Sequence, residues 1–251
     1  MIHDKIINTF NNLPKQYKYA GIGIAVGVVI YFIAGRKSAT HTLRKQVDRN
    51  ILLSPADVER VKKGLANTKK WNTEIAQSSK LTGVDEKIIR GIMAIESNGN
   101  QFAKSFCCYG LMQMLPSTFA SWLKKGNTAQ NKIISKYINP SLSASQIESA
   151  GLNEKANGYP KIYNAELNVL VASMGIKSIL DLAKQRTGNE NLAHLAISYN
   201  AGGGALNSHI INKGYAKSDS ATIYKVFPYQ ETKNYIKLLV GKDGAIDQQI
   251  K

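Results

Sequence analysis

Residues 84–118 read VDEKIIRGIMAIESNGNQFAKSFCCYGLMQMLPST. Asp85 stands where a helix cap is expected. Ile88, Ile89, Ile92 and Ile95 then recur at the three- and four-residue steps of a helix with one apolar face. Glu96 falls on that same face, following Ile92 and Ile89 at helical spacing. A carboxyl group aimed at apolar surroundings loses hydration, and at the end of a helix it also meets the negative end of the dipole. Both effects disfavour the charged form and raise the pKa, as a general acid requires. A glutamate turned outward at a fraying helix end would show the same spacing, so periodicity alone leaves both readings open.

Downstream, apolar residues recur at three and four beyond Trp71, and no alternating run is long enough for a sheet, so the domain is expected to be all-α. Residues 139–160, NPSLSASQIESAGLNEKANGYP, read as a long surface excursion from their Ser, Asn, Gly and Pro content. Upstream, residues 36–70 are polar. Leu43, Val47, Ile51 and Leu52 hint at an amphipathic stalk helix serving as a linker. Ser54-Pro55 marks a helix start, after which Val58, Val61 and Leu65 share a face.

The uncharged run YAGIGIAVGVVIYFIAG over 19–35 is roughly 17 residues, or about 25 Å as a helix, which just spans a bilayer core. Tyr17, Tyr19 and Tyr31 lie near its ends, where aromatic rings suit membrane interfaces. The reading is a single transmembrane helix preceded by a tail over 1–18. A cleaved signal peptide lacks a convincing cleavage site before Arg36, and a buried core helix would not be flanked by lysines and arginines. Lys5, Lys15 and Lys18 precede the span, and Arg36, Lys37, Arg44, Lys45 and Arg49 follow it, so the positive-inside rule turns the large domain, 71–251, toward the cytoplasm.

Hydrophobic residues make up 43% of the 251-residue chain and charged residues 20%, which excludes a wholly disordered protein. The net charge of +16 implies attraction to polyanions, whether nucleic acid, anionic lipid or acidic envelope polymers, without choosing among them. The basic residues are scattered rather than striped, and no specific nucleic-acid binding is expected. The two cysteines, Cys107 and Cys108, are adjacent, too close for an ordinary disulfide. No histidine cluster or second pair accompanies them, so neither a structural zinc site nor a cofactor is expected.

Four ordered blocks between Ala94 and Val240 give the chain a resemblance to the lytic transglycosylase family, whose relatives include goose-type lysozyme. Glu96-Ser97 resembles the family's Glu-Ser helix end, and Gly110-Leu111-Met112-Gln113, leading to Pro116, Ser117 and Thr118, its Gly-Leu-Met-Gln motif and Pro-x-Thr helix start. Tyr163-Asn164-Ala165-Glu166-Leu167-Asn168 is similar to Tyr-Asp-Pro-x-x-Asn-Ile, and Ser198-Tyr199-Asn200-Ala201-Gly202 to Ala-Tyr-Asn-Ala-Gly. Glu231-Thr232, with Tyr235 beyond, matches the closing Glu-Thr-x-x-Tyr-Val. The sequence departs from the pattern at Cys107 and Cys108, in the place of Gly-Ala, and at Asn164-Ala165, in the place of Asp-Pro.

The resemblance implies a lysozyme-like helical fold and peptidoglycan glycan strands as substrate, with Glu96 as catalytic acid and then base. Glycosidases normally use two carboxylates; the family manages with one because the substrate supplies its own nucleophile, which suits a chain with no Asp or Glu between Glu96 and Glu148. By the same resemblance Ser105 hydrogen-bonds the reacting sugar, and Met112 and Gln113 line the groove, although Met112 could equally serve as core. Tyr199 and Asn200 bound the pocket floor, Tyr199 with its phenol near Glu96, and Tyr235 reaches the cleft. Ser97, Gly110 and Glu231 belong to the structural motifs, Glu231 by hydrogen bonding. Gly202 to Gly204 form a tight turn rather than a phosphate cradle.

Three functions stay open: a transglycosylase, a hydrolase on the same fold, and a structural component of a virion or of a secretion or conjugation assembly that carries a dead domain. The setting is open too. A cell-envelope enzyme would face peptidoglycan. The charge flanks and unpaired cysteines fit instead a virus whose internal membrane carries the domain beneath its capsid.

Overall fold

A computed structural model describes residues 42–188 and 191–251. The tail, the apolar run 19–35 and the start of the expected stalk lie outside the described residues. Among the described residues no helix is long and apolar enough to cross a membrane. The chain divides into two units at Arg44 and Lys45, and the architecture below is that of Lys45–Lys251.

Strand β1 (Asp48–Leu52) leads to helix α1 (Pro55–Asn67), where the Ser54 hydroxyl accepts a hydrogen bond from the Asp57 N–H and Pro55 occupies the first turn. Helix α2 (Asn72–Thr82) stops at Gly83, and α3 (Glu86–Ser97) starts where the Asp85 carboxylate accepts from the Lys87 N–H at 2.7 Å. The apolar face of α3 is buried from Ile88 to Ile95, and the helix ends at Asn98 in the left-handed region. Gly64 lets α1 lie directly on it: a Cβ there would fall 2.8 Å from the Ala94 carbonyl oxygen.

Then follow α4 (Pro116–Leu123), α5 (Thr128–Ile134) and α6 (Ala144–Asn153), with side-chain capping boxes at Asn127/Gln130 and Ser143/Gln146. A small hairpin of β2 (Lys155–Ala156) and β3 (Tyr159–Pro160) turns through Asn157 and Gly158, both at positive φ. The long α7 (Ala165–Thr187) packs against α2, α4 and α8 (Leu192–Asn200), and α8 in turn packs against α11 (Gln230–Val240). Between them α9 (Gly202–Leu206) runs into a π-helical turn, Asn207–Ile211, and α10 (Ser220–Val226) follows. Strand β4 (Gly241–Lys242) and α12 (Ala245–Ile250) complete the described chain.

The domain is predominantly helical, with two short ribbons that the sequence does not announce. Two expectations need correction. Residues 36–70 are not a linker throughout: β1 pairs in parallel with β4, the Asp57 carboxylate accepts from Lys237 Nζ at 2.8 Å, and Ile51 and Val61 are core residues. Their partners come from the far end of the chain, which local periodicity does not report. Residues 139–160 are not a mere surface excursion either, because α6 buries Ile147 and Ala150 and presses Gly151 against Phe119 of α4.

On α8, His194 is 0% exposed, and neither ring nitrogen finds a hydrogen-bond partner among the described residues. Burial, assisted by the Arg186 charge, holds its pKa down at about 4, below the ordinary 6.5. The unfolded chain therefore binds this proton more readily than the folded one. Its effect on stability is absent above about pH 6.5 and becomes a loss as pH falls toward 4, reaching on the order of 3 kcal/mol. Denaturant titrations of the His194→Met variant across this range should show a shallower decline than wild type.

Candidate active site

Glu96 lies half-buried in the last turn of α3. The Tyr235 hydroxyl, reaching over from α11, donates a 2.8 Å hydrogen bond to its Oε1. The Tyr235 ring stacks on Tyr199 of α8 at 6.5 Å between centroids, and the Tyr199 hydroxyl donates to the Met112 carbonyl at 2.8 Å. Desolvation pushes the Glu96 pKa up to about 7; the Tyr235 hydrogen bond and Arg60 oppose that rise and Glu231 adds to it. Both phenols are pushed well above their ordinary values by burial and by the Glu96 charge, so they remain proton donors. The Tyr199 phenol lies near enough to Glu96 to feel its charge and braces the loop, while Tyr235 is the phenol that bonds Glu96 directly. Ser97, beside the acid, is buried and returns its hydroxyl to the Met93 carbonyl at 3.1 Å.

The loop between α3 and α4 crosses the site as a chain of tight turns. Gly110 N–H donates to the Ala103 carbonyl, and Tyr109 and Met114 exchange two backbone hydrogen bonds. Gln113, at φ +44°, spends its side-chain amide on the Ala103 and Gly110 carbonyls at 2.9 and 3.0 Å, which ties the loop to itself. Met112 is fully buried, so its thioether packs in the core and only its backbone takes part in the site. Ser105 lies exposed on the same loop, its N–H bonded to the Cys108 carbonyl at 3.0 Å.

Asn168 of α7, quoted above only as part of a motif, holds this loop in place. Fully buried, it accepts from the Met112 N–H at 2.9 Å and donates to the Ile162 carbonyl at 2.9 Å and the Tyr109 carbonyl at 3.3 Å. Gly110, at φ +81°, passes so close that a Cβ would fall 2.6 Å from Asn168 Nδ2. A carboxamide inside the otherwise apolar run of α7 is the sequence signal that could have found it, since a buried polar side chain must be hydrogen-bonded.

Asn200, at the end of α8, accepts from the Thr232 hydroxyl at 2.7 Å, joining two of the four motif blocks. Glu231 does not hold the fold by hydrogen bonding: it is exposed and makes no side-chain hydrogen bond among the described residues, and it acts on Glu96 through its charge. Among the described residues no group of three or more His, Cys, Asp or Glu side chains could hold a metal ion.

A carboxyl whose pKa is raised to about 7, bonded by the Tyr235 phenol and set on a predominantly helical scaffold, is the feature on which the motif blocks converge. Residues 73–222 match the Transglycosylase SLT domain family, and the chain belongs to that family. Membrane-bound lytic murein transglycosylase E of Buchnera aphidicola subsp. Acyrthosiphon pisum (strain APS) is 30% identical over 154 residues, covering 58% of this chain and 66% of that protein. The match thus spans just under two thirds of that relative's length.

Two outcomes follow from these contacts. Asn168→Ala strands the Met112 N–H and the Ile162 carbonyl, while the Tyr109 carbonyl keeps its bond from the Met114 N–H, and denaturant unfolding should read a loss of about 2–4 kcal/mol, with lowered turnover. Tyr235→Phe removes a donor that favours the carboxylate, so Glu96 should keep its proton to higher pH. The alkaline limb of the kcat/KM profile then moves upward while kcat falls, a shift that a purely structural lesion would not produce.

Proposed function

We propose that this chain is a membrane-anchored lytic transglycosylase that cleaves the β-1,4 bond between N-acetylmuramic acid and N-acetylglucosamine in peptidoglycan. The observation that carries the proposal is the shielded carboxyl of Glu96, bonded by Tyr235, with its pKa raised to about 7. In its acid form Glu96 protonates the bridging oxygen, and the bond from that oxygen to the muramyl C1 breaks. The carboxylate so produced takes the proton of the muramyl C6 hydroxyl, whose oxygen closes onto C1. The products are a 1,6-anhydromuramyl end and a free N-acetylglucosamine hydroxyl, and Glu96 is again protonated. Tyr235 holds the carboxyl in position through both steps. In this reading the exposed Ser105 contacts the sugar, with Gln113 and Asn200 shaping the walls.

A hydrolase would need a second carboxylate to activate water or to attack C1. The other acid whose charge reaches Glu96 is Glu231, exposed on the first turn of α11. A catalytically dead structural component would have no use for a shielded acid, whose burial costs stability. In this reading the run 19–35 anchors the domain in a bilayer. It serves either a cell-envelope machine or a virion membrane, and a compartment-sensitive reporter fused after Lys251 distinguishes them: a periplasmic signal in host cells removes the virion version.

Digestion of purified peptidoglycan should release anhydromuramyl products by mass spectrometry; reducing ends without anhydro ends would reject the transglycosylase. Glu96→Gln should abolish cleavage and yet unfold at a higher temperature at pH 7–8. The sign follows from the raised pKa. The folded state keeps a proton that the unfolded chain releases, so wild-type stability falls as pH rises from about 4.5 to about 7, whereas glutamine is indifferent.

A further inference from the structure

Cys107 and Cys108 lie on the loop that crosses the site, and no step above uses them. Cys107 is exposed, Cys108 is half-buried, and their sulfur atoms are 2.7 Å apart. The Cys108 carbonyl accepts the Ser105 N–H, and immediately outside this turn Lys104 and Tyr109 form a β-bridge. Tyr109 next exchanges two hydrogen bonds with Met114 and receives one from Asn168. The cysteine pair therefore sits at the tip of a ladder whose lower rungs hold Met112, the residue that braces Tyr199.

We propose that Cys107 and Cys108 are a thiol–disulfide exchange site for low-molecular-weight disulfides such as oxidised glutathione, and that closing the pair into a vicinal disulfide switches cleavage off. The Cys107 thiolate attacks one sulfur of oxidised glutathione, forming a Cys107–glutathione mixed disulfide and releasing one glutathione thiolate. Cys108 then gives its proton to solvent and attacks the Cys107 sulfur. The cysteine disulfide forms and the second glutathione thiolate leaves. Two protein thiols are oxidised and one glutathione disulfide is reduced.

Burial and the neighbouring Cys107 hold the Cys108 pKa up at about 12, so Cys108 keeps its proton and the exposed Cys107 is the sulfur that meets the oxidant first.

The effect on the loop follows from bond geometry. Consecutive Cα atoms stand about 3.8 Å apart, below the roughly 4.4 Å at which ordinary disulfides begin, so the ring closes only by twisting the intervening peptide. That twist swings the Cys108 carbonyl away from Ser105 and loads the Lys104–Tyr109 bridge. Displacement then passes down the ladder to Ser105, Gly110 and Met112. The same strain makes the disulfide easily reduced, which is a property of reversible bonds rather than of staples.

The loss of cleavage rests on the function proposed above; the exchange chemistry does not, and it is read separately. Full-length protein in detergent is treated with oxidised glutathione, and both intact mass and peptidoglycan cleavage are followed. The expected product has lost two hydrogen atoms and carries no glutathione, with the rate reduced about tenfold or more, as small displacements in an active site produce. Dithiothreitol should restore it. Cys107→Ser should keep the reduced-state rate and ignore the oxidant, and Cys108→Ser should stop at the mixed disulfide on Cys107. Retention of glutathione by the wild type, absence of oxidation, or a closed disulfide with unchanged cleavage would overturn the proposal. If the reduced protein cleaves nothing, the enzymatic reading fails, and the mass measurement alone still decides whether the exchange site exists.

Discussion

Keeping one carboxyl group partly out of water is the constraint around which this domain is arranged. A shielded carboxylate is costly, and the cost is what raises the proton affinity of Glu96 into a useful range. Complete burial without a partner would leave the group protonated and inert. The Tyr235 hydroxyl moderates the shift and fixes one oxygen in place. Tyr235 is itself held by stacking on Tyr199, Tyr199 by the Met112 carbonyl, and Met112 by Asn168. Each member of this series comes from a different helix or loop, so the acid's proton affinity depends on the packing of α3, α7, α8 and α11 together.

Much of this was legible in the sequence where the signal is local. Asp85 and the isoleucine spacing mark the α3 helix and its buried face, because a cap and a periodicity are written within a dozen residues. Ser54-Pro55 marks α1 for the same reason. The four motif blocks are legible as a set because they occur in order, although their order does not say which side chain meets which. Tyr199 and Tyr235 are both aromatic, both on apolar helices and both in motifs; only the relative rotation of α8 and α11 decides which one touches Glu96.

What sequence reasoning missed depends on contacts between distant segments. Ile51 looks like a sparse apolar residue of a stalk until β4 and α11 are laid beside β1, and Val61 until α3 and α12 are laid beside α1. Asn168 looks like one polar residue in a long helix until the loop over 109–112 folds across it. The polar composition of 139–160 reflects exposed faces and caps, and it conceals that Ile147 and Ala150 are enough to seat α6 on α4. Composition reports the average environment of a segment, whereas packing is set by the few residues that deviate from it.

The parallel pairing of β1 with β4 also has a bearing on biosynthesis. Asp48 is matched with Gly241, and the partner of Glu96 is Tyr235, so both contacts wait for the last part of the domain to leave the ribosome. A nascent chain that has made Glu96 and its loop still lacks the helix that orients the acid and the strand that closes the fold. Closure joins residues far apart in the chain, so it carries a loop-closure entropy that local helix formation does not. The surroundings of Glu96 are therefore complete only when translation of the domain is nearly finished, because the helix that carries Tyr235 is among its last elements.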